Sequence, residues 1–299
     1  MAIHRLSTVA PDDPPSRIPR RIDQRPGIGI GAHIRQSREL RIVRLQVDHP
    51  ALLLVRKGAK RLAGNGNVVK IGSGEAVAIP AGQTVDVTNQ MGADGSYEAE
   101  WLIFDPSLLQ DFALAHPEFP PRRESWALGD MEAGFLAAFE QARQALADPL
   151  GVPDGIARHR LLEVLLWVGL HGGRFVPETP TSLASRIRHR LSAALDQDWK
   201  APEIASHLAM SEATLRRRLA DEGVTLSELL VDTRMSFALT LLQSTDLPVT
   251  RIANDVGYES PSRFAVRFRQ RFGFAPSDIR RQTLATEIRD SVSERSGTN

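Results

Sequence analysis

The sequence predicts an α+β protein of two domains: a β jelly roll with accompanying helices, then an all-helical domain. Three observations predict this. The chain has 299 residues, more than a single core of roughly 100–200 residues usually organises. Apolar residues recur with period two from His33 to Phe104, and with a period near 3.6 after Asp105-Pro106. A short helix pair then occurs twice, about fifty residues apart, between residues 200 and 273.

Residues 1–26 are read as a flexible arm. Arg5, Asp12, Asp13 and the prolines Pro11, Pro14, Pro15 and Pro19 interrupt any apolar core of the signal-peptide kind. Residues 27–106 hold the strands. Val43, Leu45 and Val47 alternate with polar residues, Leu52 to Val55 is a compact apolar run, and Gly64-Asn65-Gly66-Asn67 is a hairpin turn. Val68 to Ile71, Ala76 to Ile79, Val85 with Val87, and Tyr97 to Phe104 follow, separated by Gly72-Ser73-Gly74 and Pro80-Ala81-Gly82. Short strands at this spacing build a sandwich or barrel.

Gly74, Pro80, Gly82, Val85 and Asn89 resemble the second cupin motif, with valine where a metal-binding histidine would stand. This domain is therefore expected to be cupin-like but without a metal or other cofactor, since a metal needs imidazole and carboxylate ligands converging from adjacent strands. His33, His49, His159 and His171 have no ligand spacing. Val43, Leu45, Leu53, Val55, Val77 and Ile79 are expected to face inward, each either as plain core or as lining for an effector. Lys57, Lys60 and Arg61 could meet an anionic effector, but each reads first as solvated surface.

Residues 107–173 form a helical region for dimerisation or linkage. Ser107 is expected to cap a short helix ending near His116. A second helix over 130–147 places Leu128, Met131, Phe135, Leu136, Phe139 and Leu146 on one face. A third, over 154–171, carries Ile156, Leu161, Leu162, Leu165, Leu166 and Val168, with Gly172-Gly173 as its stop. Leu161, Leu165 and Val168 are expected to pack on the jelly roll or on a second copy. Residues 174–181, with two prolines, read as the linker.

Residues 182–284 are helical throughout, and 285–299 form a polar tail. Ser182, Ser211, Thr225 or Ser227, and Ser260-Pro261 open helices, while Gly223, Gly257 and Gly273 end them. Glu203-Ile204-Ala205, Met210-Ser211, Leu215, Leu219 and Gly223 are echoed by Arg251-Ile252-Ala253, Tyr258-Glu259-Ser260, Phe264, Phe268 and Gly273. Each copy reads as a helix-turn-helix unit, whose second helix is presented to a major groove.

With Leu215 and Leu219 inward, Glu212, Ala213, Arg216 and Arg217 face out; with Phe264 and Phe268 inward, Ser262, Arg263, Val266 and Arg267 face out. Arginine takes both guanine acceptors bidentately, and Ser, Ala and Val suit small polar or thymine-methyl contacts. An Arg216-Arg217-Arg218 run by itself is more often a solvated helix face. The repeat, its serine caps and its glycine stops reverse that weighting. The long helix between the units, with Leu226, Leu229, Leu230, Phe237, Ala238, Leu241 and Leu242, reads as a strut that lets both units reach successive grooves about 34 Å apart.

Residues of about 183–281 resemble the DNA-binding domain of AraC/XylS-type transcription regulators. The resemblance rests on Trp199, Ile204-Ala205, Leu208, Met210-Ser211, Thr214 to Arg217, Gly223, Arg234, Ala238, Leu241-Leu242 and the dense stretch Pro248 to Arg280. It implies base contacts from Ala213, Arg216 and Arg217 and from Ser262, Arg263 and Val266. Arg218 departs from the large apolar residue common at its position, and Val266 from an often polar one. It also implies double-stranded promoter DNA and RNA polymerase as partners, a small-molecule effector or a regulatory protein at the N-terminal domain, and a homodimer.

Composition agrees with that class. Lys+Arg number 37 against 36 Asp+Glu, but Ser260 to Arg281 holds six arginines against one aspartate. A local basic strip suits a polyanion at one face. The absence of cysteine excludes a disulfide scaffold and a thiol nucleophile, and points to a cytoplasmic protein. The longest strongly apolar run, Leu161 to Leu170, is ten residues long and contains Glu163, whereas a bilayer takes about 20, so no membrane partner is expected. Two other classes compete with this one: a cupin-type oxygenase or isomerase, which would carry stoichiometric metal, and a module that binds a regulatory protein and no metabolite. The chain is not expected to be an enzyme.

Overall fold

The structure, a computed structural model, describes residues 22–177 and 182–279. They belong to two compact units that meet in sequence near residue 178. The expected tail 285–299, residues 1–21 of the expected arm, residues 178–181 of the expected linker and Arg280 lie outside the described residues.

The first unit begins with β1 (Ile22–Arg25), β2 (Gly29–Gln36), β3 (Leu40–Val47), β4 (Ala51–Lys57), β5 (Ala59–Gly64), β6 (Asn67–Ile71), β7 (Glu75–Ile79), β8 (Gln83–Gln90) and β9 (Tyr97–Phe104). It continues through α1 (Pro106–Ala115), β10 (Pro121–Arg122), β11 (Trp126–Asp130), α2 (Ala133–Ala147), α3 (Asp154–Leu170) and β12 (Arg174–Phe175). One antiparallel sheet runs β1-β2-β9-β4-β7-β11 and another β3-β8-β5-β6. The two face each other: Lys60 on β5 lies over the Tyr97 ring on β9, and Asn89 on β8 bonds Gln36 on β2.

The six-stranded sheet is covered on both sides, which explains the unbroken apolar run at Leu52 to Val55. Leu52 and Leu54 share a face with Leu102 and join Phe135, Phe139, Leu161 and Leu165 in the core beneath the helices. Leu53 and Val55 point the other way, toward the second sheet, in line with the period-two alternation of strands. Leu161, Leu165 and Val168 are buried in the same unit, so of the two packings expected for them the jelly roll is the one found.

Several expectations are corrected. Ile22–Arg25, inside the expected arm, is a strand paired antiparallel with β2. It is tied down by Arg25, which is buried and donates to Ala145 O at 2.8 Å and Asp154 Oδ1 at 2.8 Å, and also to Val152 O. The first of these bonds satisfies a carbonyl that the end of α2 would otherwise leave unpaired. The cap of α1 is Asp105, which accepts from Ser107 N at 2.9 Å, rather than Ser107. Leu128 lies on β11, so α2 starts at Ala133. Arg174–Phe175, placed in the linker, pairs in parallel with β10, and Phe175 is buried.

The strand β2 escaped the sequence reading because Gly29 and Gly31 weaken its pattern. Glycine is needed there: a Cβ on Gly29 would stand 2.6 Å from Ile103 O and 2.7 Å from Leu161 Cδ2.

The second unit contains α4 (Leu183–Ser192), α5 (Ala201–His207), α6 (Glu212–Asp221), α7 (Leu226–Ser244), α8 (Val249–Asp255) and α9 (Pro261–Phe272). The helix opened by Ser182 ends at Ser192. Thr225, not Ser227, caps α7, in a reciprocal box with Glu228. Leu183, Ile187, Leu191, Ile204, Leu215, Leu219 and Leu229 form one core. The long helix α7 packs against α4, α8 and α9.

Candidate nucleic-acid interface

The two helix pairs are built by the same local chemistry. In the first, Met210 N bonds back to Ala205 O at 3.0 Å, and the Ser211 hydroxyl accepts from Thr214 N at 3.2 Å. In the second, Tyr258 N bonds to Ala253 O at 2.9 Å, and the Ser260 hydroxyl accepts from Arg263 N. The turn between the helices takes a left-handed residue in both copies, Ala209 at φ +53° and Gly257 at φ +79°. The second turn carries one residue more, Glu259.

Beneath each second helix the apolar pair is fully buried: Leu215 and Leu219 under α6, Phe264 and Phe268 under α9. Under α9 the rings of Phe264, Phe268 and Phe272 stack along the helix with centroids 5.7 and 4.8 Å apart. This spacing suits tilted aromatic pairs. Four-residue spacing then forces the remaining residues outward. Ala213, Arg216, Arg217, Ser262, Arg263, Val266 and Arg267 are exposed, and Glu212 is half-buried. Arg218 is exposed as well. Glu212 Oε2 lies 3.7 Å from Arg216 Nη2 across one helical turn, a solvent-exposed pair of little energetic weight.

Residues that hold the two helices in place were not singled out in the sequence. Arg234 on α7 donates to Leu195 O at 3.0 Å and Gln197 O at 2.9 Å, and its guanidinium lies 5.8 Å from the Tyr258 ring centroid. Burial lowers its pKa. Arg271 pairs with Asp232 and so ties α9 to α7. Glu222, just past α6, accepts from Leu183 N at 2.8 Å and Ala184 N at 2.9 Å, placing a carboxylate on the N-terminus of α4. Arg234 belonged to the family resemblance, but no local pattern showed what it grips.

In the first unit the expected effector residues separate. Leu53, Val55, Val77 and Ile79 are buried on the sheet face opposite the helices, and Leu45 is half-buried. Val43 is 36% exposed, contrary to the inward placement expected for it. The β3 register shifts between Ile42 and Leu45, with Arg44 at φ +52°, so Ile42 and Leu45 take the inward positions. Lys57 lies at the surface, 3.2 Å from Asp94 and 3.3 Å from Glu98. Lys60, read as solvated, is buried. Its place two residues before Leu62 on one strand was the signal that would have found it. Among the described residues no three His, Asp or Glu side chains group as a metal ion would need, and no helix is long and apolar enough to cross a membrane.

An antiparallel jelly roll with helices on one face, joined in sequence to paired helix-turn-helix units around a common helix, defines a class of two-domain helix-turn-helix protein. Residues 35–166 match the model of the AraC-like ligand binding domain, and residues 204–282 match that of a helix-turn-helix domain. The two matched domains are those of AraC-type transcription regulators, to which the chain is similar in both of its units. It is 30% identical over 142 residues to the HTH-type transcriptional regulator GadX of Escherichia coli (strain K12), covering 46% of this chain and 52% of that one. It is 33% identical over 101 residues to the regulator YdeO of Shigella flexneri, covering 34% and 40%. The chain spans about half the length of the curated relatives it matches. Its fold is also that of ToxT from Vibrio cholerae, solved with an unsaturated fatty acid bound: TM-score 0.60 at 13% identity, covering 84% of this chain and 94% of that one.

Proposed function

We propose that this chain is a sequence-specific regulator of transcription whose α6 and α9 enter successive major grooves of promoter DNA. One observation carries the reading. Each of these helices buries its apolar pair completely while its N-terminal half leaves arginine and small side chains exposed. Phosphate contacts from basic side chains and helix N-termini would set the register. Ala213, Arg216 and Arg217, and Ser262, Arg263, Val266 and Arg267, would meet base edges, with Glu212 at the rim.

The jelly roll is proposed to bind a small-molecule effector, with Leu45, Leu53, Val55, Val77 and Ile79 as its candidate wall. Ile156, Leu166 and Leu170 leave apolar surface exposed along α3, which supports a homodimer. Recruitment of RNA polymerase, action in the cytoplasm and the lack of any catalytic role complete the reading.

The test is selection of bound duplexes from a random pool, followed by affinity measurement on the selected and scrambled sequences. Enrichment of a two-part site, its halves about one helical turn apart, is expected. Equal affinity for every duplex would overturn sequence-specific binding. Thermal-shift screening against metabolites, beside co-purification, separates a small effector from a protein partner.

A further inference from the structure

The interior of the jelly roll holds a polar cluster. Lys60 on β5 stands directly opposite Asn89 on β8, and Gln36 on β2 directly opposite Tyr97 on β9. The pairs belong to different sheets and meet between them. Lys60 Nζ donates to Asn89 Oδ1 at 2.6 Å and lies 5.5 Å from the Tyr97 ring centroid, while Asn89 Nδ2 donates to Gln36 Oε1 at 3.0 Å. Lys60 and Gln36 are 5% exposed, Asn89 1% and Tyr97 0%.

The direction of these bonds is set from one end. An ammonium only donates, so it takes the Asn89 oxygen; the Asn89 nitrogen must then donate, and it takes the Gln36 oxygen. What remains is a surplus of donors. Among the described residues Gln36 Nε2 and the Tyr97 hydroxyl have no hydrogen-bond partner, and the ammonium keeps further N–H groups. Among the described residues no carboxylate pairs with Lys60, and burial alone pushes its amine down to about 7. Buried donors are ordinarily satisfied, and here an ammonium, an amide N–H and a hydroxyl are left in excess of the acceptors they reach, so the cluster suits an acceptor-bearing guest.

We propose that this cluster binds a small carboxylate, held by Lys60 Nζ, Gln36 Nε2 and the Tyr97 hydroxyl. The inference rests on the jelly roll being an effector domain, and names the class of effector. The neighbouring cross-strand pairs on the same two faces, Leu62 with Val87 and Ile34 with Ala99, supply an apolar sheath for the rest of the molecule. A dianion such as a phosphate monoester would leave one buried charge uncompensated. A neutral polyol would bring no charge to balance the buried ammonium.

The sequence has four lysines, Lys57, Lys60, Lys70 and Lys200, so a lysine-labelled sample of the full chain gives four side-chain resonances by NMR, and the one missing from Lys60→Met identifies Lys60. The probes are benzoate, its neutral isostere benzamide, and phenyl phosphate. Tyr97 is the titratable group facing Lys60, and burial keeps its hydroxyl protonated. Benzoate should shift the Lys60 Cε resonance and raise its titration midpoint; benzamide and phenyl phosphate should do neither. Lys60→Met should abolish benzoate binding, and Tyr97→Phe, which removes only a hydroxyl, should weaken it about tenfold. A Lys60 resonance unmoved by millimolar benzoate, or moved equally by benzamide, overturns the proposal and leaves water as the cluster's guest. If a neutral metabolite then stabilises the protein, the effector reading survives without the carboxylate. If no compound does and a protein partner co-purifies, both fall.

Discussion

Gly257 lies against the guanidinium of Arg234. A Cβ at Gly257 would stand 2.6 Å from Arg234 Nη2 and 2.6 Å from Leu195 O, and the residue has φ +79°. Three parts of the second unit converge there: the central helix α7, the chain leaving α4, and the turn of the second helix pair. Gly257→Ala therefore meets both backbone strain and a clash with a carbonyl that cannot swing aside. Its expected cost is at least about 2 kcal/mol, from the left-handed penalty alone plus displacement of Arg234. Thermal unfolding of the full chain measures it, and DNA affinity should fall with it; an unchanged transition would contradict this account of the joint.

The equivalent position of the first turn holds Ala209, at φ +53°. Here the substitution runs the other way. Ala209→Gly relieves left-handed strain at a modest entropic cost, with an expected gain of about 0.5–1 kcal/mol. The same unfolding measurement checks the sign, and loss of stability would show that Ala209 is not strained.

Glu222 receives two backbone N–H groups from the first turn of α4. Glu222→Ala leaves them with water as their only partner and removes a charge that favours the helix dipole. A loss of about 1–2 kcal/mol is expected, with Glu222→Gln recovering part of it. If Ala and Gln variants unfold with the parent, the capping role is wrong.

At the DNA face, Arg216→Ala and Arg263→Ala should each cost about 1–3 kcal/mol on the selected duplex and relax preference at one base pair. Parental affinity should also fall steeply with salt, since each neutralised phosphate releases counterion. Variants that discriminate between duplexes as the parent does would move base readout elsewhere on these helices.

Lys60 makes stability depend on pH. Burial lowers its folded pKa to about 7, below the ordinary 10.5. Between those values the unfolded chain holds a proton that the folded chain lacks, so stability rises as pH climbs from about 7 toward 10. Lys60→Met should flatten that rise. A parent whose melting temperature does not increase between pH 7 and 9, relative to the variant, would place Lys60 in contact with solvent.

Much of the DNA-facing half was legible in the chain because its signals are short-range. Serine caps, glycine stops and apolar residues four apart act within one or two turns of helix, and they placed Arg216, Arg217, Arg263 and Arg267 outside before any coordinates. The N-terminal half was harder. Leu53, Val55 and Val77 follow from alternation, but the bulge at Ile42–Leu45 moves Val43 to the surface, and only the pairing of β3 with β8 shows it. The burial of Arg25 and Phe175 is not legible locally, because the Arg25 guanidinium is held by Ala145 and Asp154 and Phe175 pairs with Arg122, all far away in the chain.

The sequence by itself determined the two-domain order, the repeated helix pairs and which of their faces is polar, since those depend on periodicity and on side chains capping their own backbone. The tertiary structure decided that Lys60 is enclosed with Gln36, Asn89 and Tyr97, and that Arg234 clamps the turn at Gly257. Both depend on strands and helices distant in sequence being brought together, and burial acts on a charge only after that assembly has removed its water.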